Sequence, residues 1–309
     1  MKKTIYFWIE RYLFNPNKLQ KIIAFLLLPI TFIYCFIVIF KRKSSKAIDY
    51  NIPIISIGNL VVGGSGKTPI TISLASKYPN SAIILRGYGR DSFGMKMVSK
   101  NGEIFLNVKE SGDEAMLLAT SLPQSMVIVS EDRVEGILKA KKEGAKIIFL
   151  DDGFNKSKIN KFDILIKPSN IKSLPFCLPS GAYREMPSFY NMVDLLLEED
   201  IDFKREVEIK NPTKRMILIT AISKPERLDI FLPDVLEKIY FPDHYSYNKK
   251  ELEKLIDKYS ATSILTTTKD AVKMQDFSLN LSILELKLIL KDNIYERIDS
   301  FLERFDKIA

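Results

Sequence analysis

The segment VVGGSGKTP, Val61 to Pro69, limits the folds open to this chain more than any other stretch. A phosphate-binding loop reads G-x-x-x-x-G-K-[ST]. Gly66, Lys67 and Thr68 fill its last three positions, Val61 stands where the first glycine is expected, and Gly63 and Gly64 lie inside the loop. The flanks suit such a loop. IPIISIGN (Ile52 to Asn59) is a short apolar run rich in β-branched residues, which predicts a buried strand. After the loop, PITISLASKY opens on Pro69 and places Ile70, Leu74 and Ala75 on one helical face. Strand, glycine loop and helix in that order aim backbone N–H groups at an anion. Without a Cβ, Gly63, Gly64 and Gly66 let the backbone approach phosphate oxygens. Val61, Val62, Gly63, Gly64, Ser65, Gly66, Lys67 and Thr68 are therefore the candidate nucleotide cradle. Lys67 would neutralise the β- and γ-phosphates, and the Thr68 hydroxyl would face Mg²⁺. Val61 points to an unusual branch of the class.

The rest of the chain alternates strand and helix patterns. SAIILRGYG, MVIVS, AKIIFLDDG, KFDILIKP and MVDLLLEE read as strands, and MKMVSKNGEIFLNV as a hairpin turning at Asn101-Gly102. GDEAMLLATSL opens a helix after Gly112, and RVEGILKAKKEG reads as another. This rhythm predicts a mostly parallel sheet flanked by helices. Polar DFKREVEIKNPTK (Asp202 to Lys214) is the best boundary candidate, and beyond it RMILITAI, KIYFPDHY, SILTTT and SILELKLIL are further strands. The expected fold is α/β: a P-loop NTPase-like, mostly parallel core over residues 47–205, a smaller α/β domain over 206–309, and an apolar helical segment over 1–46.

The N-terminus carries much of the net charge of +8: nine Lys and Arg against Glu10 and Asp49 in the first 50 residues. That excess suits an anionic partner such as a membrane surface or a phosphorylated substrate. Ile22 to Phe40 is 19 residues without a charge. As a helix it would be about 28 Å long, close to the hydrocarbon thickness of a bilayer. KRKSSK follows directly, and Trp8, Tyr6 and Tyr12 lie beside charged residues upstream. Three arrangements suit it: a spanning helix, a helix broken near Pro29 in the membrane surface, or a buried hairpin of a soluble protein. The second is favoured, because basic residues on both flanks give little orientation. Cys35 and Cys177 are too few for a disulfide framework and fit a reducing cytosol.

Several polar residues could carry chemistry. Asp151 and Asp152 end an apolar strand after the loop, where a carboxylate would hold Mg²⁺. Asp113-Glu114 reads equally as a helix start or a catalytic pair. On spacing alone Arg184-Glu185 is a surface ion pair, and His244, the chain's single histidine, is a residue of a fixed loop.

As an ordered set, ISIGNLVVGGSGKTP, LRGYGR, GDEAMLLA, EDRVEG, IIFLDDGF, LPSGAYREMP, AISKPERL, FPDHYSY and TTTKDAVK resemble the tetraacyldisaccharide 4′-kinase (lipid A 4′-kinase) family. That family's loop also lacks the first glycine. The resemblance implies transfer of the γ-phosphate of ATP, with Mg²⁺, to the 4′-hydroxyl of a tetraacyldisaccharide 1-phosphate, a step of lipid A biosynthesis. It implies an enzyme at the cytoplasmic face of the bacterial inner membrane, with an acylated lipid substrate and no nucleic acid as partner. By the same resemblance Asp113 is the general base and His244 its partner, and Arg184 is a cation near the transferred phosphate. Asp151, Asp152 and Glu185, with Thr68, match positions near the metal. The family usually has Gln-His where this chain has Asn155-Lys156, and Glu where it has Thr268. Two rival classes remain on the residues: a tethered P-loop switch, for which no N-K-x-D guanine motif is present, and a kinase of a soluble substrate.

Overall fold

The structure is a computed structural model that describes residues 2–63, 66–168, 173–222, 225–243 and 245–306. Three helices come first: α1 (Lys2–Phe14), α2 (Lys18–Leu26) and α3 (Leu28–Lys43). Strand β1 (Ile54–Gly58) leads through the glycine loop into α4 (Lys67–Ala75). Then follow β2 (Ser81–Leu85), β3 (Lys96–Lys100), β4 (Glu103–Ile104), α5 (Val108–Ser111), α6 (Asp113–Ser121), β5 (Met126–Val129), α7 (Arg133–Lys142) and β6 (Ile147–Asp151). The chain continues through β7 (Phe162–Lys167), β8 (Leu195–Glu198), β9 (Phe203–Lys210), β10 (Met216–Thr220) and β11 (Glu237–Tyr240). It closes with α8 (Lys249–Tyr259), β12 (Ser263–Thr267), α9 (Thr268–Ala271), β13 (Leu281–Leu290) and α10 (Asp292–Asp306). The expected strand–loop–helix is present, and every residue of β1, β2, β5 and β6 is buried. Near-continuous apolar runs such as these suit strands covered on both faces.

The chain divides into two compact units, each assembled from separate segments. The first takes Met1–Lys67, Asp152–Phe203 and Glu296–Ala309. In it β1, β7 and β8 pair in parallel, Ile55 beside Phe162 and Ile164 beside Leu195. Leu60, Val61, Phe154, Leu165 of β7, Tyr183 and Phe189 belong to one buried cluster, and Tyr34 and Val38 of α3 pack on it. Side-chain bonds fasten the N-terminal helices to LPSGAYRE: Tyr12 donates to Pro179 O (2.8 Å), Thr31 to Ser180 Oγ (2.7 Å), Tyr34 to Arg184 O (2.6 Å) and Arg42 to Glu185 (3.1 Å).

A capping box between Asn17 and Gln20 starts α2. The expected break near Pro29 falls at Leu27, with Pro29 in the first turn of α3, where its missing N–H costs nothing. No single helix among the described residues is long and apolar enough to cross a membrane; α2 and α3 together have the length but are bent by 57°. Leu26, Phe32, Ile33, Phe36 and Phe40 of this pair are exposed. That is a large apolar surface for a protein surrounded by water.

The second unit takes Thr68–Asp151 and Lys204–Tyr295. One sheet runs β4-β3-β5-β2-β6, parallel from β5 to β6 and antiparallel at β3 and β4. Its expected hairpin turns at Asn101 (φ 52°) and Gly102 (φ 81°), the positive values a two-residue turn needs. The other sheet runs β11-β10-β12-β13-β9. In β10, Ile217 and Ile219 join one buried cluster and Met216 and Leu218 another, so both faces are covered. The stretch read as a boundary, 202–214, holds β9, an edge strand whose burial alternates along its length.

Candidate active site

In the first unit the site begins at Gly58. A Cβ there would lie 2.8 Å from Cβ of Phe154, so the end of β1 meets the DDGF turn at a distance only glycine permits. Asn59 follows, buried. Its Nδ2 donates to Val61 O (2.8 Å), and its Oδ1 accepts from Lys67 Nζ (3.2 Å) and Arg184 Nη2 (2.6 Å). Asp152 sits at φ 55°, a left-handed position that aspartate tolerates better than most residues. Arg184 grips its carboxylate with both nitrogens, at 3.1 and 3.0 Å, and Lys67 Nζ stands 3.7 Å from the same group. Burial disfavours the Arg184 charge, but the hydrogen bonds and charge of Asp152 outweigh it and raise its pKa.

Val61 explains its own departure from the loop pattern. It bridges antiparallel to Tyr183, Val62 N donates to Ala182 O (2.9 Å), and Arg184 N donates to Leu60 O (2.7 Å). The first arm of the loop is thus a short strand extension, and the Val61 side chain is buried in the cluster beside Phe154 and Tyr183. Glycine there would leave that space unfilled.

Next to this network lies a cavity of about 220 Å³ lined by Tyr34, Lys41, Arg42, Asn155, Arg184 and Glu185, among others. Glu185 accepts from Arg42 at 3.1 Å. Its pKa is nonetheless raised, because burial outweighs the pull of Arg42 and Arg184.

In the second unit Thr68 Oγ1 stands 3.4 Å from Asp151 Oδ2. The buried guanidinium of Arg133, from EDRVEG, donates to Asp151 O (3.3 Å) and Ser130 O (2.5 Å), bracing the end of β6. Asp113 begins α6 after Gly112, whose φ is 86° and where a Cβ would meet Tyr88 O at 2.9 Å; only glycine fits. The Asp113 side chain is 6% exposed, and its Oδ2 is 3.6 Å from both Lys269 Nζ and Lys273 Nζ. Lys269 also stands 3.8 Å from Asp243 and 3.9 Å from Glu114. Lys273 is held by Asp270 at 3.1 Å, and Asp270 in turn accepts from Thr220, Ala221 N and Thr267.

The expected residues therefore gather in two places. Lys67, Asp152, Arg184 and Glu185 converge in the first unit, Thr68 with Asp151 and the surroundings of Asp113 in the second. Gly64, Ser65 and His244 lie outside the described residues. Asn59, Lys269, Lys273 and Arg42 were not singled out as site residues from the sequence. The two lysines four apart in TTTKDAVK were the available signal, whereas Asn59 and Arg42 acquire their roles only through distant partners. Among the described residues no group of three or more His, Cys, Asp or Glu is placed to hold a metal.

The family model for LpxK, tetraacyldisaccharide-1-P 4′-kinase, matches residues 23–303. The chain belongs to this family. A tetraacyldisaccharide 4′-kinase of Aliarcobacter butzleri is 53% identical over 99% of this chain and 100% of its own length. One of Helicobacter pylori is 50% identical over 96% and 95%. The fold matches a crystal structure of LpxK from Aquifex aeolicus, described as in complex with ATP, at 28% identity and a TM-score of 0.76 over 92% of this chain and 99% of that one. The family resemblance and the α/β fold expected from the motifs hold. The reaction is that of a tetraacyldisaccharide 4′-kinase, a phosphotransferase of lipid A biosynthesis.

Proposed function

We propose that the chain uses ATP and Mg²⁺ at the glycine loop and works at the cytoplasmic face of the inner membrane. The observation that carries this reading is the convergence of Lys67, Arg184 and Asp152 on Asn59, directly after β1 and beside the loop. Phosphoryl transfer needs charge neutralisation and alignment more than covalent help. Lys67 and Arg184 supply cations for the transferred phosphate, and the loop from Val61 to Thr68 supplies backbone N–H groups. Asp113 takes the proton of the 4′-hydroxyl as its oxygen bonds to the γ-phosphorus. The bond to the β-phosphate oxygen breaks, and its electron pair leaves on ADP. Lys269 and Lys273 each stand 3.6 Å from Asp113 Oδ2 and place positive charge beside the carboxylate. His244 is its partner; its chain neighbour Asp243 shares Lys269 with Asp113, which supports the pairing.

Thr68 and Asp151 bring two hard oxygen donors together, which suits Mg²⁺. That ion typically takes one or two protein carboxylates and completes its shell with phosphate and water, so no larger acidic cluster is required. The family resemblance assigns Asp152 and Glu185 to the remaining acidic positions near the metal. When bound, the ion neutralises charge on the phosphate oxygens.

Residues 1–46 form the membrane-associating segment, 47–205 the kinase core and 206–309 the smaller α/β domain. A tetraacylated sugar leaves a bilayer at about 0.8 kcal/mol per buried CH₂, so the enzyme must come to the membrane. The exposed apolar face of α2 and α3 and the basic residues around it suit a surface-lying anchor. The reading is tested with γ-labelled ATP and a disaccharide lipid precursor in detergent micelles. Mg²⁺-dependent labelling at the 4′ position is expected; labelling that survives Lys67→Ala would overturn the site. Recovery of the full-length protein in the soluble fraction without detergent would overturn the anchor.

A further inference from the structure

The last turn of α3 carries Lys41, Arg42 and Lys43. A basic turn after an apolar helix is ordinarily a contact for anionic lipid headgroups. Lys41 and Lys43 are exposed and fit that use. Arg42 does not. Its guanidinium lies over the Phe154 ring at 4.1 Å and the Phe189 ring at 4.9 Å. It donates to Glu185 at 3.1 Å and stands 3.9 Å from Asp163. Phe154 belongs to the DDGF turn that carries Asp152, and Glu185 follows Arg184. About two turns earlier on the same helix, Tyr34 donates to Arg184 O.

We infer that Arg42 is a positioning residue: docked between two rings and Glu185, it fixes the Arg184–Glu185 segment against the Asp152 turn, so the end of the anchor helix is a working part of the site. The inference rests on the roles proposed above for Arg184 and Asp152. Its physical basis is the shape of the group. A guanidinium is flat, stacks on aromatic faces and bonds carboxylates with directed donors; an ammonium of equal charge does neither as well. Arg42 therefore joins three elements that a lysine would leave loosely related. Misplacement by about 1 Å of groups that orient a reacting phosphate costs up to about 100-fold in rate.

The test separates charge from shape. Arg42→Lys, Lys43→Met and Tyr34→Phe are assayed in the full-length protein with the disaccharide lipid in micelles, and their binding to vesicles containing anionic phospholipid is measured in parallel. Arg42→Lys is expected to lose about 10- to 100-fold in kcat, with vesicle binding and the KM for ATP unchanged. Lys43→Met is expected to weaken vesicle binding and keep kcat. Wild-type kcat in Arg42→Lys, or a loss confined to vesicle binding, overturns the inference. Should Arg42→Lys prove unfolded by circular dichroism, Tyr34→Phe decides: reduced kcat at an unchanged Tm supports the inference, and unchanged kcat overturns it. If wild-type protein itself shows no transfer to the lipid, the proposed function has failed rather than the role of Arg42.

Discussion

Among the described residues Asp152 and Asp113 are each flanked by two cations, yet the two sites hold their carboxylates differently. Asp152 is gripped through directed hydrogen bonds by Arg184, with Lys67 close by, and its side chain keeps 37% of its exposure. Asp113 is 6% exposed, and its two lysines stand at 3.6 Å, beyond hydrogen-bond range. A bidentate arginine fixes orientation. Ammonium groups at the longer distance supply field rather than a directed bond. The first arrangement suits a carboxylate that aims its cations; the second suits one that accepts a proton.

The comparison is broken most sharply at Lys67. Lys67→Ala should reduce phosphoryl transfer below detection while circular dichroism and Tm stay near wild type; measurable normal turnover would remove the first site from the mechanism. Asp113→Ala should lower kcat by about 10²–10⁴-fold, the usual range for a general base, with ATP affinity nearly unchanged. A drop in ATP affinity instead would make Asp113 a nucleotide ligand and erase the distinction between the two carboxylates.

A smaller effect concerns Lys269. Burial disfavours its charge, but Asp113, Glu114 and Asp243 outweigh burial and raise its pKa. A raised folded value means that its stabilisation is fully present below the unfolded lysine pKa and fades as pH climbs through the higher folded one. Lys269→Met should therefore remove part of the wild-type protein's loss of Tm at strongly alkaline pH; identical alkaline profiles would show that the field at Asp113 is weaker than the geometry implies. Glu143 supplies a surface control. It too lies between two lysines, Lys100 at 2.5 Å and Lys139 at 2.7 Å, and its pKa is lowered to about 2, chiefly by the Lys100 hydrogen bond. Its small stabilisation is present above the unfolded glutamate pKa and is lost as pH falls toward about 2. A carboxyl titration followed by NMR should place its midpoint well below the ordinary glutamate value of about 4.3; a midpoint at that ordinary value would show that solvent screens the pair.

The parts legible from sequence were those written locally. Gly66-Lys67-Thr68 between a β-branched run and a proline-led helix gave the loop, and Asn101-Gly102 gave the hairpin. β9 was obscured because Lys204, Glu206, Glu208 and Lys210 crowd its exposed face and mask the alternation of Phe203, Val207 and Ile209. Asn59 and Arg42 stayed hidden for another reason. Their side chains gain meaning from Arg184 and Glu185, more than a hundred residues away, and no periodicity encodes such a meeting.

Val61 carries a lesson for anyone who would regularise this sequence. An engineer restoring the consensus glycine would expect to improve the loop, and would instead remove a buried valine side chain worth about 1.5–3 kcal/mol and add backbone freedom that costs roughly another 0.5–1 kcal/mol. The residue that makes the loop look incomplete is the one that ties it to the segment bearing Arg184. Drift toward the familiar motif is thus opposed by folding itself, and a pattern search that insists on that glycine will pass over chains built this way.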